Sequence, residues 1–307
     1  MTLKNVAVLM STYNGEKYLK EQLDSLFTQK GAVVSVFVRD DGSTDNTLSI
    51  LKDYEKDGKL TILESTQNLG VGNSFMELVY RVPLCYDYYA FCDQDDVWLE
   101  DKVKRAISLL SNYDKAALYC SNQVVVDSNL TVDRLRYKSS PNTSYLQILT
   151  SNQLTGCTML WNRSLQQLLA DSKRRPNTSL LQTRIHDVWV AMVASVIGEI
   201  VYDDEARILY RQHGNNVVGV KNGSLMKNYL KKIKNVAVRN GRSKLATGIL
   251  DNYPEFLSRD TKENLAKFSN SKKGFKEKLI LFNSPELFQF SSETRVGILL
   301  KILFNLI

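Results

Sequence analysis

The feature that most constrains this chain is the pace at which short apolar runs alternate with stretches of helical period in its first 92 residues. Residues 5–11 read as a buried strand. Residues 33–38, 60–63 and 88–92 read as three more, each short and rich in β-branched or aromatic side chains. Between them, Leu19, Leu23, Leu26 and Phe27 fall at i, i+4, i+7 and i+8, one face of a helix that Gly31 ends. Leu48, Leu51 and Tyr54 mark a second helix, with Ser43, Thr44 or Asp45 to cap it, and a third is expected over residues 73–82. Parallel neighbours need a crossover, and the crossover is right-handed. Alternation at this pace therefore predicts an α/β fold with a mainly parallel, Rossmann-like sheet.

The polar residues fall where such a sheet binds ligands. Arg39-Asp40-Asp41-Gly42-Ser43 and Asp93-Gln94-Asp95-Asp96 each follow the carboxyl end of an expected strand. Those ends share one edge of a parallel sheet, so acidic groups from two distant stretches converge on one cleft. Neither Gly-x-x-x-x-Gly-Lys nor Gly-x-Gly-x-x-Gly occurs, so a phosphate-bearing ligand needs another anchor. Asp93-x-Asp95 offers hard oxygen ligands to Mg²⁺ or Mn²⁺, and such an ion can bridge a diphosphate and neutralise a departing nucleoside diphosphate. Two plainer readings stay open: an Asp-rich turn capping a helix that starts near Trp98, and an ordinary turn at Asp40-Asp41-Gly42-Ser43.

Three stretches together carry a resemblance. Val8-Leu9-Met10-Ser11-Thr12-Tyr13-Asn14-Gly15, then Arg39-Asp40-Asp41-Gly42-Ser43-Thr44-Asp45, then Phe91-Cys92-Asp93-Gln94-Asp95-Asp96-Val97-Trp98 resemble, in order and spacing, family-2 glycosyltransferases of the GT-A fold. The Asp-Gln-Asp-Asp-Val-Trp form is similar in particular to the bacterial branch that includes polysaccharide rhamnosyltransferases. The resemblance implies a metal-dependent, inverting transfer of a sugar from a nucleotide-diphosphate donor to a growing cell-surface polysaccharide on a lipid carrier. The branch points to dTDP-L-rhamnose as donor, with UDP-hexoses as the alternative.

Roles are implied position by position. Thr12 and Tyr13 would flank the nucleotide base, and Asp41 would accept from the pyrimidine N3–H, which suits uracil or thymine. Asp93 would face the ribose or the metal, and Asp95 would ligate the metal directly; Asp96 would join them or cap a helix. In Arg184-Ile185-His186-Asp187-Val188-Trp189, ahead of an apolar helix over 190–196, Asp187 is implied as the base that takes the acceptor hydroxyl's proton, and an N-cap aspartate can do both. His186 stands where many relatives carry Glu, and either positions the acceptor or packs. The stretch around Gly156 resembles the acceptor-side wall, the plainer reading being a close backbone approach. Leu209-Tyr210-Arg211-Gln212-His213-Gly214 also resembles the branch: Arg211 or His213 would reach the diphosphate, and neutral His213 could ligate the metal.

Composition bounds the rest. With 43% hydrophobic and 24% charged residues the chain is neither disordered nor fibrous, and 307 residues suit two domains or one large α/β domain with a tail. The expected division is a catalytic domain over 1–220, with 1–125 holding the nucleotide sugar and 126–220 the acceptor, and a helical basic extension over 221–307. Residues 221–280 hold 15 Lys and Arg against 5 Asp and Glu, while the first 220 hold 23 against 26, so the net charge of +7 belongs to one segment. The chain ends in an apolar helical stretch with Gly297, Lys301 and Asn305 as a polar stripe. Such a tail packs on the catalytic domain, pairs with a second copy in a homodimer, or lies on an anionic membrane surface. The membrane reading fits a lipid-linked saccharide acceptor, with a cytoplasmic enzyme peripheral on the inner face of the plasma membrane. Lys231-Lys232-Ile233-Lys234 lacks interleaved aromatics, so nucleic acid is not expected as a partner.

No secretory signal and no transmembrane run stand out. Cys85, Cys92, Cys120 and Cys157 have no paired spacing and read as buried thiols of a reducing compartment. Two rival functions fit the sequence less well. A nucleotidyltransferase would need a Gly-rich phosphate loop bearing Lys or Arg, and a non-catalytic polysaccharide-assembly subunit would not need the acidic residues.

Overall fold

The structure is a computed structural model that describes residues 3–182, 185–214 and 240–307. The expected domain boundary at 220 and the basic run at 231–234 lie outside the described residues. The four expected strands form as β1 (Lys4–Thr12), β2 (Ala32–Asp40), β3 (Leu60–Ile62) and β4 (Tyr88–Cys92), separated by α1 (Leu19–Phe27), α2 (Thr47–Lys56) and α3 (Val71–Arg81). β1 pairs in parallel with β2 and β4, and β2 with β3. The N-cap of α2 is Asn46 and not one of the three expected residues; Asp45, just before it, accepts from the Thr47 N–H at 3.0 Å.

The chain continues through β5 (Val97–Trp98), α4 (Lys102–Leu110), β6 (Ala117–Ser121), β7 (Val124–Val126), β8 (Val132–Leu135) and α5 (Tyr145–Ser151). Then follow β9 (Leu160–Asn162), α6 (Arg163–Ala170), α7 (Thr178–Leu181), α8 (His186–Ile197), β10 (Glu199–Asp203) and β11 (Ile208–Arg211). A seven-stranded sheet runs β10-β6-β9-β4-β1-β2-β3, with β9 antiparallel to both its neighbours. A smaller sheet, β5-β11-β7-β8, sits beside it. Trp98 thus lies in a strand, not at a helix start: Val97 and Trp98 pair with Leu209 and Ile208, and the helix begins only at Lys102. That pairing joins residues more than a hundred positions apart, which no local period reveals.

The alternation of side chains along the strands divides the core in two. Val6, Val8 and Met10 of β1 pack with Leu19, Leu23 and Leu26 of α1 and with Val103, Ala106 and Leu110 of α4. Ala7 and Leu9 face the other side, with Phe75 and Met76 of α3 and Trp189 to Ala194 of α8. A strand covered on both faces must be apolar throughout, which is why β1 reads as a continuous apolar run.

The C-terminal helices are α9 (Gly241–Asn252), α10 (Arg259–Asn270), α11 (Phe275–Phe282), α12 (Pro285–Gln289) and α13 (Arg295–Leu303). Leu245, Ile249, Tyr253, Leu265, Phe268 and Ile298 join the α8 side of the core. The polar stripe of the last helix turns inward: Lys301 donates to the Thr150 carbonyl at 3.0 Å and pairs with Glu293. The outward face is apolar instead, with Val296 at 67% exposure and Leu300, Leu303 and Phe304 also exposed. The neighbouring α11, tied on by Lys278 Nζ to the Leu303 carbonyl at 3.2 Å, adds exposed Phe275, Leu279 and Ile280. Of the cysteines, Cys92, Cys120 and Cys157 are buried as expected, but Cys85 is exposed, in the turn before β4.

Candidate active site

The carboxyl ends of β1, β2 and β4 meet at one edge. Thr12 and Asp40 are register partners, and Thr12 Oγ1 donates to Asp40 Oδ1 at 2.9 Å. Asp40 also accepts from the Gly42 and Ser43 N–H groups at 3.0 and 2.8 Å. Its carboxylate therefore folds the turn, and Asp41 is the one that lines the cavity. Asp41 pairs with buried Arg39 and accepts from the Leu69 and Gly70 N–H groups at 2.8 and 2.9 Å. Those bonds use all but one of the roughly four lone-pair positions of a carboxylate, and the one left is on Oδ2.

After β1 the chain turns outward. Tyr13 is 51% exposed at the cavity mouth, and the Gln94 amide holds its backbone at both atoms, at 2.9 and 3.0 Å. Gly15 makes that clamp possible, because a Cβ there would stand 2.2 Å from Gln94 Oε1.

The three aspartates after β4 diverge. Asp96 is fully buried and accepts from the Arg211 N–H at 3.0 Å, with the Cys157 thiol beside it; it caps no helix. Burial, then Asp95 and Asp93, push its carboxyl far above the usual range. Asp95 Oδ2 lies 2.8 Å from His213 Nε2, across 118 residues of sequence, and Tyr18 lies against that imidazole at 5.0 Å between ring centroids. Asp93 is pushed up to about 8 by burial, and further by Asp95 and Asp187.

Asp187 lies in the first turn of α8 and is not its cap; Ile185 holds that place. The carboxylate accepts from the Val188 N–H at 2.7 Å. Burial raises it to about 6, while the N–H groups of Val188 and Gly156 pull the other way. A helix N-terminus favours the anion, and burial disfavours it more strongly.

One cavity of about 700 Å³ collects these groups. Thr12, Tyr13, Asp41, Asp93, Asp95, Gly156, His186, Asp187 and His213 all line it. Arg211 does not: its guanidinium is buried, bound to the carbonyls of Asp95 and Ser128 at 2.8 Å each and paired with Glu21, over the Tyr18 ring. It ties β11 to α1 and the aspartate turn, so the expected reach to a diphosphate is not what this side chain does here.

The model of glycosyl transferase family 2 matches residues 7–169, more than half of the chain. The chain belongs to glycosyl transferase family 2. It is 33% identical over 253 residues to the dTDP-rhamnosyl transferase RfbG of Shigella flexneri, which covers 79% of this chain and 85% of that protein. Residues 1–349 of TarS from S. aureus, solved in complex with UDP-GlcNAc, superpose with a TM-score of 0.60 at 17% identity, covering 98% of this chain and 90% of that one. The mannosyltransferase PcManGT from Pyrobaculum calidifontis, in complex with GDP-Man and Mn²⁺, gives 0.53 at 13% identity, covering 100% and 88%. The fold is that of these enzymes, mixed α/β with a mostly parallel central sheet, and the chain is a glycosyltransferase.

Within this family-2 enzyme the donor set suits a hard divalent cation. Asp93 and Asp95 offer oxygens and His213 an imidazole nitrogen at the cavity. The three residues that bring one ligand atom each within 4.8 Å of one another, among the described residues, are instead Asp93, Asp96 and Cys157. The Cys157 thiol is pushed well above its usual range by burial, then by Asp96 and Asp93. It is a protonated, soft partner to Asp96 and a poor ligand for Mg²⁺.

Several site residues escaped the sequence reading. Gln94 sits inside the Asp-Gln-Asp-Asp motif, but its backbone clamp depends on where β1 ends. Arg39 stands next to Asp41 in sequence, but its pairing with that carboxylate depends on the fold of the turn. Asn68 and Gly70 belong to a loop that carried no signal beyond its glycine. Lys102 is fully buried beneath the acidic edge, its amine 3.6 Å from the Trp98 ring centroid and brought down to about 8 by burial.

Proposed function

We propose that this glycosyltransferase moves L-rhamnose from dTDP-L-rhamnose, with inversion, onto a lipid-linked saccharide. The observation that carries the reading is one cavity lined by Asp41, Asp93, Asp95 and Asp187, the last with a carboxyl that burial raises to about 6. Thr12 and Tyr13 flank the base, and the remaining lone pair of Asp41 accepts from the thymine N3–H. Asp93, Asp95 and His213 would hold a divalent ion, Mg²⁺ or Mn²⁺, which would neutralise charge on the departing nucleoside diphosphate. Asp187 takes the proton from the acceptor hydroxyl. The acceptor oxygen bonds to the anomeric carbon as the bond from that carbon to the diphosphate oxygen breaks, through an oxocarbenium-like state. The carboxyl of Asp187, poised near 6, is basic enough to receive that proton and still largely ionised at neutral pH.

The 33% identity to a dTDP-rhamnosyl transferase supports the donor, and a neighbour solved with Mn²⁺ supports the ion. UDP-hexose transfer is the second reading, favoured by the neighbour solved with UDP-GlcNAc. Calorimetric binding of dTDP-L-rhamnose and of UDP-hexoses, with Mn²⁺ or with EDTA, tests both. Metal-dependent binding of dTDP-L-rhamnose alone is expected. Preference for a UDP-sugar replaces the donor, and no nucleotide binding refutes the reading.

The acceptor is lipid-linked, and the enzyme works peripherally on the inner face of the plasma membrane. The exposed apolar face of α11 and α13, together with the basic stretch over 221–280, supports this. No helix among the described residues is long and apolar enough to cross a membrane. Co-sedimentation with phosphatidylglycerol vesicles is expected, weakening with salt. Full recovery in the supernatant at low salt refutes the attachment.

A further inference from the structure

The cavity is lined by four carboxylates, one lysine and no arginine. Asp41, Asp93, Asp95 and Asp187 supply the negative charge, and Lys17 is the lysine. Arg39 and Arg211 are spent elsewhere: the first on Asp41, the second on Glu21 and the carbonyls of Asp95 and Ser128. A nucleoside diphosphate adds negative charge to a site that is already acidic. The chain has neither of the glycine-rich loops that would receive phosphates on backbone N–H groups. The charge of such a ligand has to be met by a cation, and Lys17 is the one that the lining itself supplies.

Lys17 is held by its backbone and left free at its amine. It lies in the turn between β1 and α1. There the N–H groups of Asn14, Gly15 and Glu16 donate to Ser43 Oγ, Thr47 Oγ1 and Asp45 Oδ2 at 2.9, 2.8 and 3.1 Å, which pins the turn to the stretch after β2. The carboxylates nearest to it in sequence are taken. Glu16 accepts from the Asn46 backbone and side chain at 2.9 and 2.7 Å, and Glu21 pairs with Arg211. Lys17 itself is exposed and forms no ion pair among the described residues. Its amine stands 4.8 Å from the Tyr18 ring centroid, and His213, bonded to Asp95, lies against the same ring. The free ammonium is thus one aromatic ring away from the Asp95–His213 pair.

We infer that Lys17 binds the phosphate groups of the nucleotide donor. The assignment rests on the transferase reading above and names the side chain that receives the donor's charge. A carboxylate cannot meet a phosphate without a cation between them, whereas an ammonium meets it directly. On a flexible four-carbon stem that ammonium is a mobile point charge, so it can follow a phosphate while the turn beneath it stays fixed. Leaving the Tyr18 ring costs it little, because a cation–π contact at an exposed site is weak. The role is one of binding: Lys17 holds the donor and carries no proton for the transfer.

The test compares dTDP with thymidine, which keeps the base and the sugar and lacks the phosphates, by calorimetry on the full chain with Mn²⁺. Lys17→Met is expected to weaken dTDP about tenfold, the worth of roughly one charge-assisted contact, and to leave thymidine unchanged. Lys17→Arg, which returns the charge, should recover most of the loss. Lys20→Met is the control: it removes the same charge from an exposed position of α1 that does not line the cavity, and dTDP should bind it as it binds the parent. Unchanged dTDP affinity in Lys17→Met overturns the inference. So does an equal loss in Lys20→Met, which would mean that net charge alone acts, and so does an equal loss of thymidine, which would put Lys17 at the base. If the parent binds UDP instead of dTDP, UDP and uridine are compared by the same criteria. A parent that binds no nucleotide refutes the transferase reading itself, whatever the variants do.

Discussion

Asp187→Asn tests the proposed base in two independent ways, because the same burial that tunes its carboxyl also strains the fold. A rise from the ordinary 3.8 to about 6 means that the folded protein resists ionising Asp187. The penalty is absent below about pH 3, where the carboxyl is protonated whether folded or not. It grows between about pH 4 and pH 6 and is complete above pH 7, where it amounts to about 3 kcal/mol. Asparagine never ionises, and its carbonyl can still accept from the Val188 N–H. Part of the gain is lost to its NH₂ group, so about 1–3 kcal/mol of stabilisation is expected at pH 8, a rise in melting temperature of roughly 5 °C. The same variant loses its general base and should transfer sugar about 10²–10⁴ times more slowly.

Thermal melts at pH 8 and pH 4.5, with a transfer assay at pH 8, decide the matter. The stabilisation should appear in full at pH 8 and shrink to about a third at pH 4.5. In the parent enzyme kcat/KM should fall about tenfold per pH unit below pH 6, because only the ionised carboxylate accepts a proton. An active Asp187→Asn enzyme would refute the base assignment. An inactive variant whose melting temperature is no higher at pH 8 would refute the burial argument. A stabilisation as large at pH 4.5 as at pH 8 would show that it comes from something other than the charge.

Three further outcomes follow from the geometry. Asp95→Ala should abolish metal-dependent transfer while leaving the melting temperature within about 2 °C of the parent, since Asp95 is partly exposed at the cavity and buries no strand; full activity in this variant would refute its metal role. Arg39→Met should destabilise by about 3–5 kcal/mol, because it strands the buried Asp41 carboxylate, and urea denaturation measures the loss. Gly15→Ala should weaken nucleotide binding several-fold with little change in stability, since it pushes Gln94 off the Tyr13 backbone at the cavity mouth; unchanged affinity would show that the clamp does not shape the base site.

The order of strands and helices in the first 92 residues, and the acidic edge they build, could be read from adjacent residues alone. Strands covered on both faces must be apolar throughout, helices must repeat every three to four positions, and residues that follow parallel strands must share an edge. Those rules act over short spans of chain. What they could not reach were the meetings across the fold. Asp95 finds His213 at a distance of 118 residues, Asp96 turns inward onto the Arg211 backbone, and the Arg211 side chain is consumed by the Asp95 and Ser128 carbonyls. Trp98 becomes a strand because β11 comes back to pair with it, and the last helix turns its polar stripe inward because Thr150 and Glu293 wait there for Lys301. The proton affinities of Asp93 and Asp187 belong to the same class. They are set by desolvation and by which carboxylates stand near each other, and burial is a property of the packed molecule that no spacing of residues contains.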